Sequence, residues 1–354
     1  MKLLLLFIAS VALAFAQKIV GGPLVINAAP RSAIVVWLVE GNQVTLRAPG
    51  APPRTSPSLR AERTMLTGLQ PNTRYEYEVA GQDAGKGSFK TPPIEAGPFR
   101  FAVYGDVRTR HDVHRKVMSA LIAHGIPDFV LHTGDLVADG DDTSQWSTFF
   151  DIEKDLLRQT AFFPSLGNHE RNSRNYYDFL QMTKPYYSFD WGNAHFIALN
   201  SDIGNVSASE RLKDTFWAEQ TKWLEEDLQR SQKADYRFVF AHHPPFTAVT
   251  RRQGANPHMT ALVPLFEKYR VTAALFGHDH NYQRYLKNGI HYVVTGGGGA
   301  PLYDVDKPPE GITQKVISTE NFVTVSVDGP KVRIEAIGTD GQKLDEVEFQ
   351  KPLQ

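Results

Sequence analysis

Cysteine is absent from all 354 residues, which excludes disulfides, thiolate metal ligands and a lipid anchor on an N-terminal cysteine. Neither sign of charge is in excess, since 38 Lys and Arg against 39 Asp and Glu give a formal charge of −1. Such a surface offers no field for nucleic acid or an anionic membrane, so neither partner is expected. Internal repeats and low-complexity segments are also missing. The hydrophobic fraction of 42% and charged fraction of 22% are those of an ordinary globular chain, long enough for two domains.

Long apolar runs are confined to the first residues, MKLLLLFIASVALAFAQ. Lys2, the run from Leu3 and the small-residue pattern Ala14-Phe15-Ala16 read as a secretory signal at 1–16, cut before Gln17. The run is shorter than the roughly 20 apolar residues of a membrane span. The mature protein is therefore expected to be soluble and either periplasmic or secreted.

What the chain has instead is five short polar motifs in a fixed order. They are Gly105-Asp106, Gly134-Asp135, GNHE at Gly167 to Glu170, HHP at His242 to Pro244, and GHDH at Gly277 to His280. Each follows a strand-like apolar run: FRFAVYGD, DFVLHTGD, FFPSLGNH, YRFVFAHH and VTAALFGHDH. Loops leaving the carboxyl ends of strands in an open α/β sheet converge on one crevice, so ligands distant in sequence can meet there. A single GD at a strand end is often only a turn; five motifs in order supply the ligands of a two-metal phosphoester-cleaving site. Two cations about 3.5 to 4 Å apart stabilise the attacking and leaving oxygens of an in-line displacement and bring the pKa of a bound water toward neutrality. Carboxylate, imidazole and amide ligands without thiolate suit Zn, Fe or Mn better than Ca or Cu(I). Two residues apart, His278 and His280 would project to one side of an extended segment, one for each ion.

The order, spacing and contents of these motifs resemble the calcineurin-like metallophosphoesterases, and within them the purple acid phosphatase branch, over roughly residues 95–300. HHP followed by GHDHNYQR is the most specific part. The resemblance implies an α/β four-layer catalytic domain, two sheets flanked by helices, with two divalent or trivalent ions (Fe, Zn or Mn). Asp106, Asp135 and His280 would hold the first ion. Asp135 would bridge to the second, completed by Asn168, His242 and His278, and His169 would face the phosphate from outside. The implied activity is acid phosphatase-like hydrolysis of small phosphate esters by an ion-activated hydroxide. Phosphodiesterase and nucleotidase activities of the same superfamily are not separable from it by sequence.

Two positions depart from the family. Purple enzymes carry a tyrosine three residues after the second aspartate; here it is Ala138, so no phenolate-to-iron colour is expected, and Tyr104 and Tyr303 are the candidate substitutes should one appear. Where the family has Gly or His two residues after the first aspartate, this chain has Arg108. It is a catalytic candidate through a forked contact to a substrate phosphate, or alternatively the ion-pair partner of a ligand carboxylate. His243 adjoins His242 and either is a possible ligand, although the spacing His-x-Pro-x-aromatic favours His242. His169 or His258 would protonate the leaving alkoxide or simply bind phosphate. His111, His114, His124, His132, His195 and His291 read as histidines satisfied by local hydrogen bonds. The rival from another class is a surface-binding protein with a degraded site, motivated by Arg108 and Ala138.

Around the motifs, residues 17–93 carry short β-rich runs, and LTGLQPNTRYEYEV resembles a fibronectin type III domain. An N-terminal β-sandwich, acting as a packing or spacer module, is the expectation. TPPIEAGP at 91–98 marks the boundary, and 94–354 forms the catalytic domain. There VHRKVMSALIAHG, TFWAEQTKWLEEDLQRS and MTALVPLFEKYR predict helices, YSFDWGNAHFIALN predicts a hairpin, and residues 320–349 predict three closing antiparallel strands. Gly296 to Gly299 lacks the GK[ST] of a nucleotide loop and reads as close backbone packing beside the site.

Overall fold

The computed structural model describes residues 18–79 and 85–351, so the secretory signal expected at 1–16 lies outside the described residues. Its strands are β1 (Ile19–Ala29), β2 (Ser32–Leu46), β3 (Arg54–Thr67), β4 (Arg74–Glu78), β5 (Lys86–Lys90), β6 (Phe99–Tyr104), β7 (Phe129–His132), β8 (Ala161–Pro164), β9 (Tyr187–Trp191), β10 (Ala194–Ala198), β11 (Tyr236–Ala241), β12 (Ala273–Phe276), β13 (Tyr282–Lys287), β14 (Ile290–Thr295), β15 (Thr313–Ile317), β16 (Asn321–Asp328), β17 (Lys331–Gly338) and β18 (Lys343–Gln350). The helices are α1 (His111–His124), α2 (Thr143–Leu157), α3 (Arg174–Phe179), α4 (Glu210–Arg230), α5 (Pro257–Ala261) and α6 (Val263–Lys268).

Two mixed sheets dominate, one ordered β18-β17-β16-β6-β7-β8-β1-β2-β3 and the other β15-β13-β14-β12-β11-β10-β9. The central strands β6, β7 and β8 run parallel, as do β10, β11, β12 and β14. Alternation along each strand decides the layers. Phe101, Val103, Phe129 and Leu131 of the first sheet meet Phe196, Phe238 and Leu275 of the second in an aromatic core between the sheets. Phe101 lies against Phe129 at 5.1 Å between ring centroids and edge-on to Phe196 at 5.3 Å, an arrangement favoured by the ring quadrupoles. The opposite faces pack on helices. Ala102, Tyr104 and Val130 meet Val117 and Leu121 of α1 and Phe149 and Leu156 of α2. Ile197, Val239 and Phe276 meet Leu224 and Leu228 of α4 and Phe266 of α6. Helix, sheet, sheet and helix form the four layers expected of the catalytic region.

The sandwich expected at 17–93 is replaced by something else. The region is β-rich, but β1, β2 and β3 extend the first catalytic sheet, joined through Val25 beside Ala161, in place of two sheets of their own. Leu24, Ile26, Val36 and Leu38 explain it, because their shared apolar face is covered by α2. Only β4 and β5 form a separate ribbon, with Tyr75 and Tyr77 turned inward against Phe89. The alternation read in RYEYEVAG is thus real, but its buried side belongs to the main core.

Other expectations hold. The hairpin turns at Gly192, where φ is +59°, and β16 to β18 are antiparallel. MTALVPLFEKYR divides into α5 and α6 at Leu262, with Pro264 in the first turn of α6, where its missing N–H is tolerated.

Leu38→Ala should destabilise the whole protein by about 2–5 kcal/mol, whereas Met65→Ala, 64% exposed on β3, should change little. Denaturant unfolding would reveal it, and a separate early transition of the N-terminal strands would contradict the shared sheet. His195 provides a pH test. Burial alone would lower its pKa, but hydrogen bonds to Asp190 at 2.6 Å and Asp227 at 2.8 Å, with their charges, raise it to about 9. This stabilisation is complete below the unfolded value near 6.5 and is lost as pH rises through about 9. Relative to His195→Gln, the wild type should lose on the order of 2 kcal/mol between those limits in urea titrations.

Candidate metal centre

The five motifs meet at one end of both sheets. Asp106 follows β6, Asp135 follows β7, Asn168 follows β8, His242 follows β11, and His278 and His280 follow β12. The backbone there is tightly bent. Asp106, Asp135 and His278 have φ of +60°, +58° and +68°, an uncommon conformation for residues other than glycine that clusters at functional sites. Gly105 and Gly277 serve a different need, because a Cβ on Gly105 would collide with Thr133 Oγ1 and one on Gly277 would meet Asp106 Oδ2. His278 therefore sits in a left-handed turn rather than the extended segment expected. The two histidines still fall one in each ligand group.

Two groups of ligand atoms result, Asp106 with Asp135 and His280, and His242 with His243 and His278, each with its atoms within 4.8 Å of one another. Asp135 links them. Its Oδ1 lies 3.5 Å from His242 Nε2 and its Oδ2 faces Arg108 and His169. Asn168 belongs to the second group, its Oδ1 3.0 Å from His242 Nε2, and His278 Nδ1 approaches the same nitrogen at 3.1 Å.

Hydrogen bonds on the far side of the rings orient them. His242 Nδ1 donates to Thr133 O at 2.8 Å and His280 Nδ1 to Pro301 O at 2.6 Å, which aims each Nε2 at the carboxylates. Burial, reinforced by neighbouring imidazoles, lowers the pKa of His243 and His278 and keeps both neutral. Burial would also lower His242, but the charges of Asp135 and Asp106 outweigh it and raise the value. Asp135 is held below the ordinary carboxylate range; burial opposes this and is overcome by His242, His169 and Arg108. Asp106 Oδ1 is buried with no hydrogen-bond partner. An orphaned carboxylate oxygen beside converging ring nitrogens is an unfinished coordination set, so the residues fit divalent metal ions.

The remaining candidates separate. Arg108 Nε donates to Asp135 Oδ2 at 3.0 Å, the carboxylate ion pair. His169 donates Nδ1–H to Ala138 O at 3.0 Å, leaving Nε2 4.0 Å from Asp135 Oδ2. His258 donates Nε2–H to Ser201 O at 3.1 Å and packs edge-on to Trp217. Tyr104 turns to the helix side and donates to Glu153 at 2.5 Å. Tyr303 stacks on His280 at 4.1 Å, and its hydroxyl accepts from Arg252 at 3.1 Å. Among the histidines read as local, His114 and His195 have side-chain partners, His132 accepts from Gly134 N–H on Nδ1 with its Nε2 unpartnered, and His291 Nδ1 has no partner while its ring stacks on Phe349.

Glu170 is the residue whose part the motifs did not reveal. Fully buried, it accepts from the N–H groups of Asp135 at 3.0 Å, Val137 at 3.2 Å and Gly167 at 2.7 Å, so it pins two ligand loops together. The only signal was a buried-looking carboxylate ending GNHE. Burial and the Asp135 charge raise its pKa, while the amides of Val137 and Gly167 and the His242 ring pull the other way.

Residues 99–282 match the family described as Calcineurin-like phosphoesterase. The chain belongs to that family. Its members are phosphoric ester hydrolases, and this calcineurin-like chain is 26% identical over 310 residues to mouse acid phosphatase type 7, covering 79% of this chain and 70% of that one. It is 26% identical over 275 residues to a soybean purple acid phosphatase, covering 69% of this chain and 57% of the soybean protein, little more than half its length. In fold it is similar to the purple acid phosphatase PPD1 from yellow lupin seeds, with a TM-score of 0.72 and 18% identity over 93% of this chain and 74% of that chain.

Glu170→Gln should turn an amide N–H toward a backbone N–H and loosen both loops. Metal affinity should fall about 10- to 100-fold by titration calorimetry with Zn²⁺, with the fold retained; unchanged affinity would remove Glu170 from the centre.

Proposed function

We propose that this chain is an exported, metal-dependent phosphatase of the purple acid phosphatase-like branch, acting on small phosphate monoesters at a centre able to take two ions. The observation that carries the reading is Asp135, a buried carboxylate that belongs to the group of Asp106 and His280 and whose Oδ1 lies 3.5 Å from His242 Nε2 of the other group. Bound ions would supply neutralisation of phosphate charge and an activated water. Asp106, Asp135 and His280 would hold one, and Asn168, His242 and His278 the other, with His243 beside them.

The protein groups contribute orientation and proton transfer. With Nδ1 committed to Ala138 O, His169 can carry a proton on Nε2 to the leaving alkoxide. His258 is less suited, since Ser201 O engages its Nε2. Arg252, 3.5 Å from Asp279, adds positive charge beside His278. Export is supported by the charged, apolar and A-x-A pattern of residues 1–16. No helix among the described residues is long and apolar enough to cross a membrane.

Chelator-treated protein should lose activity on p-nitrophenyl phosphate and regain it with Zn²⁺, Mn²⁺ or iron. Asp135→Ala should lower kcat about 10²–10³-fold. Faster turnover of bis-p-nitrophenyl phosphate would favour the diesterase alternative, and metal binding without hydrolysis of either would favour a non-catalytic surface protein.

A further inference from the structure

We infer, resting on the metal-dependent reading above, that Arg108 is the resident cation of the Asp106–Asp135–His280 group. An ion entering that group must displace the guanidinium, so the two ligand groups fill with unequal affinity. Arg108 Nε donates to Asp135 Oδ2 at 3.0 Å, and its Nη2 lies 3.4 Å from His280 Nε2. That nitrogen is a bare acceptor because Pro301 O takes the proton on Nδ1 at 2.6 Å. The fork therefore uses lone pairs on two of the three residues that would hold an ion.

Arginine cannot relieve the conflict by losing its proton, and its side chain is only 12% exposed, so water screens it poorly. A divalent ion on the same lone pairs would place like charges a few ångströms apart. Among the described residues, no guanidinium or ammonium lies on the ligand atoms of the other group. The charge that reaches it, Arg252, is paired with Asp279 at 3.5 Å.

The guanidinium does not complete its group, because Asp106 Oδ1, 3.4 Å from His280 Nε2, receives no hydrogen bond. An ion at sufficient concentration can therefore win the site. The backbone beside Arg108 is fixed by Asp106 N–H to Gly134 O at 3.0 Å, Val107 N–H to Asp135 O at 3.1 Å and Ala300 N–H to Asp106 O at 2.7 Å. Displacement is thus a swing of the side chain, with the ligand loop in place.

Titration calorimetry of metal-free full chain with Zn²⁺ reads this directly, without any activity assay. Wild type should bind one ion tightly and a second at least tenfold more weakly. Arg108→Met, which keeps the stem and removes the charge, should tighten the second ion at least tenfold. The first affinity should stay unchanged and so report that the variant is folded. Arg108→Lys should keep the two affinities apart. Two equal affinities in wild type, or an unchanged second affinity in Arg108→Met, would overturn the inference alone. No ion bound by wild type would overturn the metal-dependent reading and this inference together.

Discussion

Three carboxylates, Asp106, Asp135 and Glu170, end their segments where water hardly reaches, at 0%, 1% and 0% exposure. Like charges so placed are stable only with hydrogen bonds or cations beside them. Glu170 is compensated by three backbone amides and thereby fixes the loops after β7 and β8. Asp135 takes His169 N–H, Arg108 and the His242 ring. Asp106 receives His278 N–H at 2.9 Å on Oδ2, while Oδ1 has no hydrogen bond and only His280 Nε2 3.4 Å away. The remaining demand for positive charge is what fits the crevice to divalent metal ions.

A rigid base is needed to hold such a cluster, and the aromatic layer between the sheets provides it. Phe101, Phe129, Phe196 and Phe238 interlock stacked and edge-on contacts across the two sheets. The strand ends therefore cannot drift apart without opening that core. Ligands brought from β6, β7 and β8 on one side and β11 and β12 on the other keep a spacing set by packing, not by loop length.

The convergence of the candidate ligand residues was legible because each motif sits at the end of an apolar run, and strand ends in such sheets converge. Arg108 was legible only as an anomaly: an arginine two residues past a ligand aspartate can reach outward to a phosphate or inward to a carboxylate, and rotamer and packing make that choice. The N-terminal region was misread for a related reason. Turns and alternation in RYEYEVAG identify strands correctly but carry no record of which sheet they join. The face of Leu24, Val36 and Leu38 needed a cover, and α2 offers one.

The sequence by itself determined the inventory: cysteine-free chemistry, strands that stop at Gly-Asp and His-rich turns, and a carboxylate–imidazole–amide donor set. Those are local properties, decided by residue type and period. Tertiary structure alone decided that Glu170 clasps two loops, that His258 turns to Ser201, that Tyr104 faces the helices, and that Arg108 lies between Asp135 and His280. Each depends on which partner a side chain finds across a distance of tens of residues, and only packing sets that.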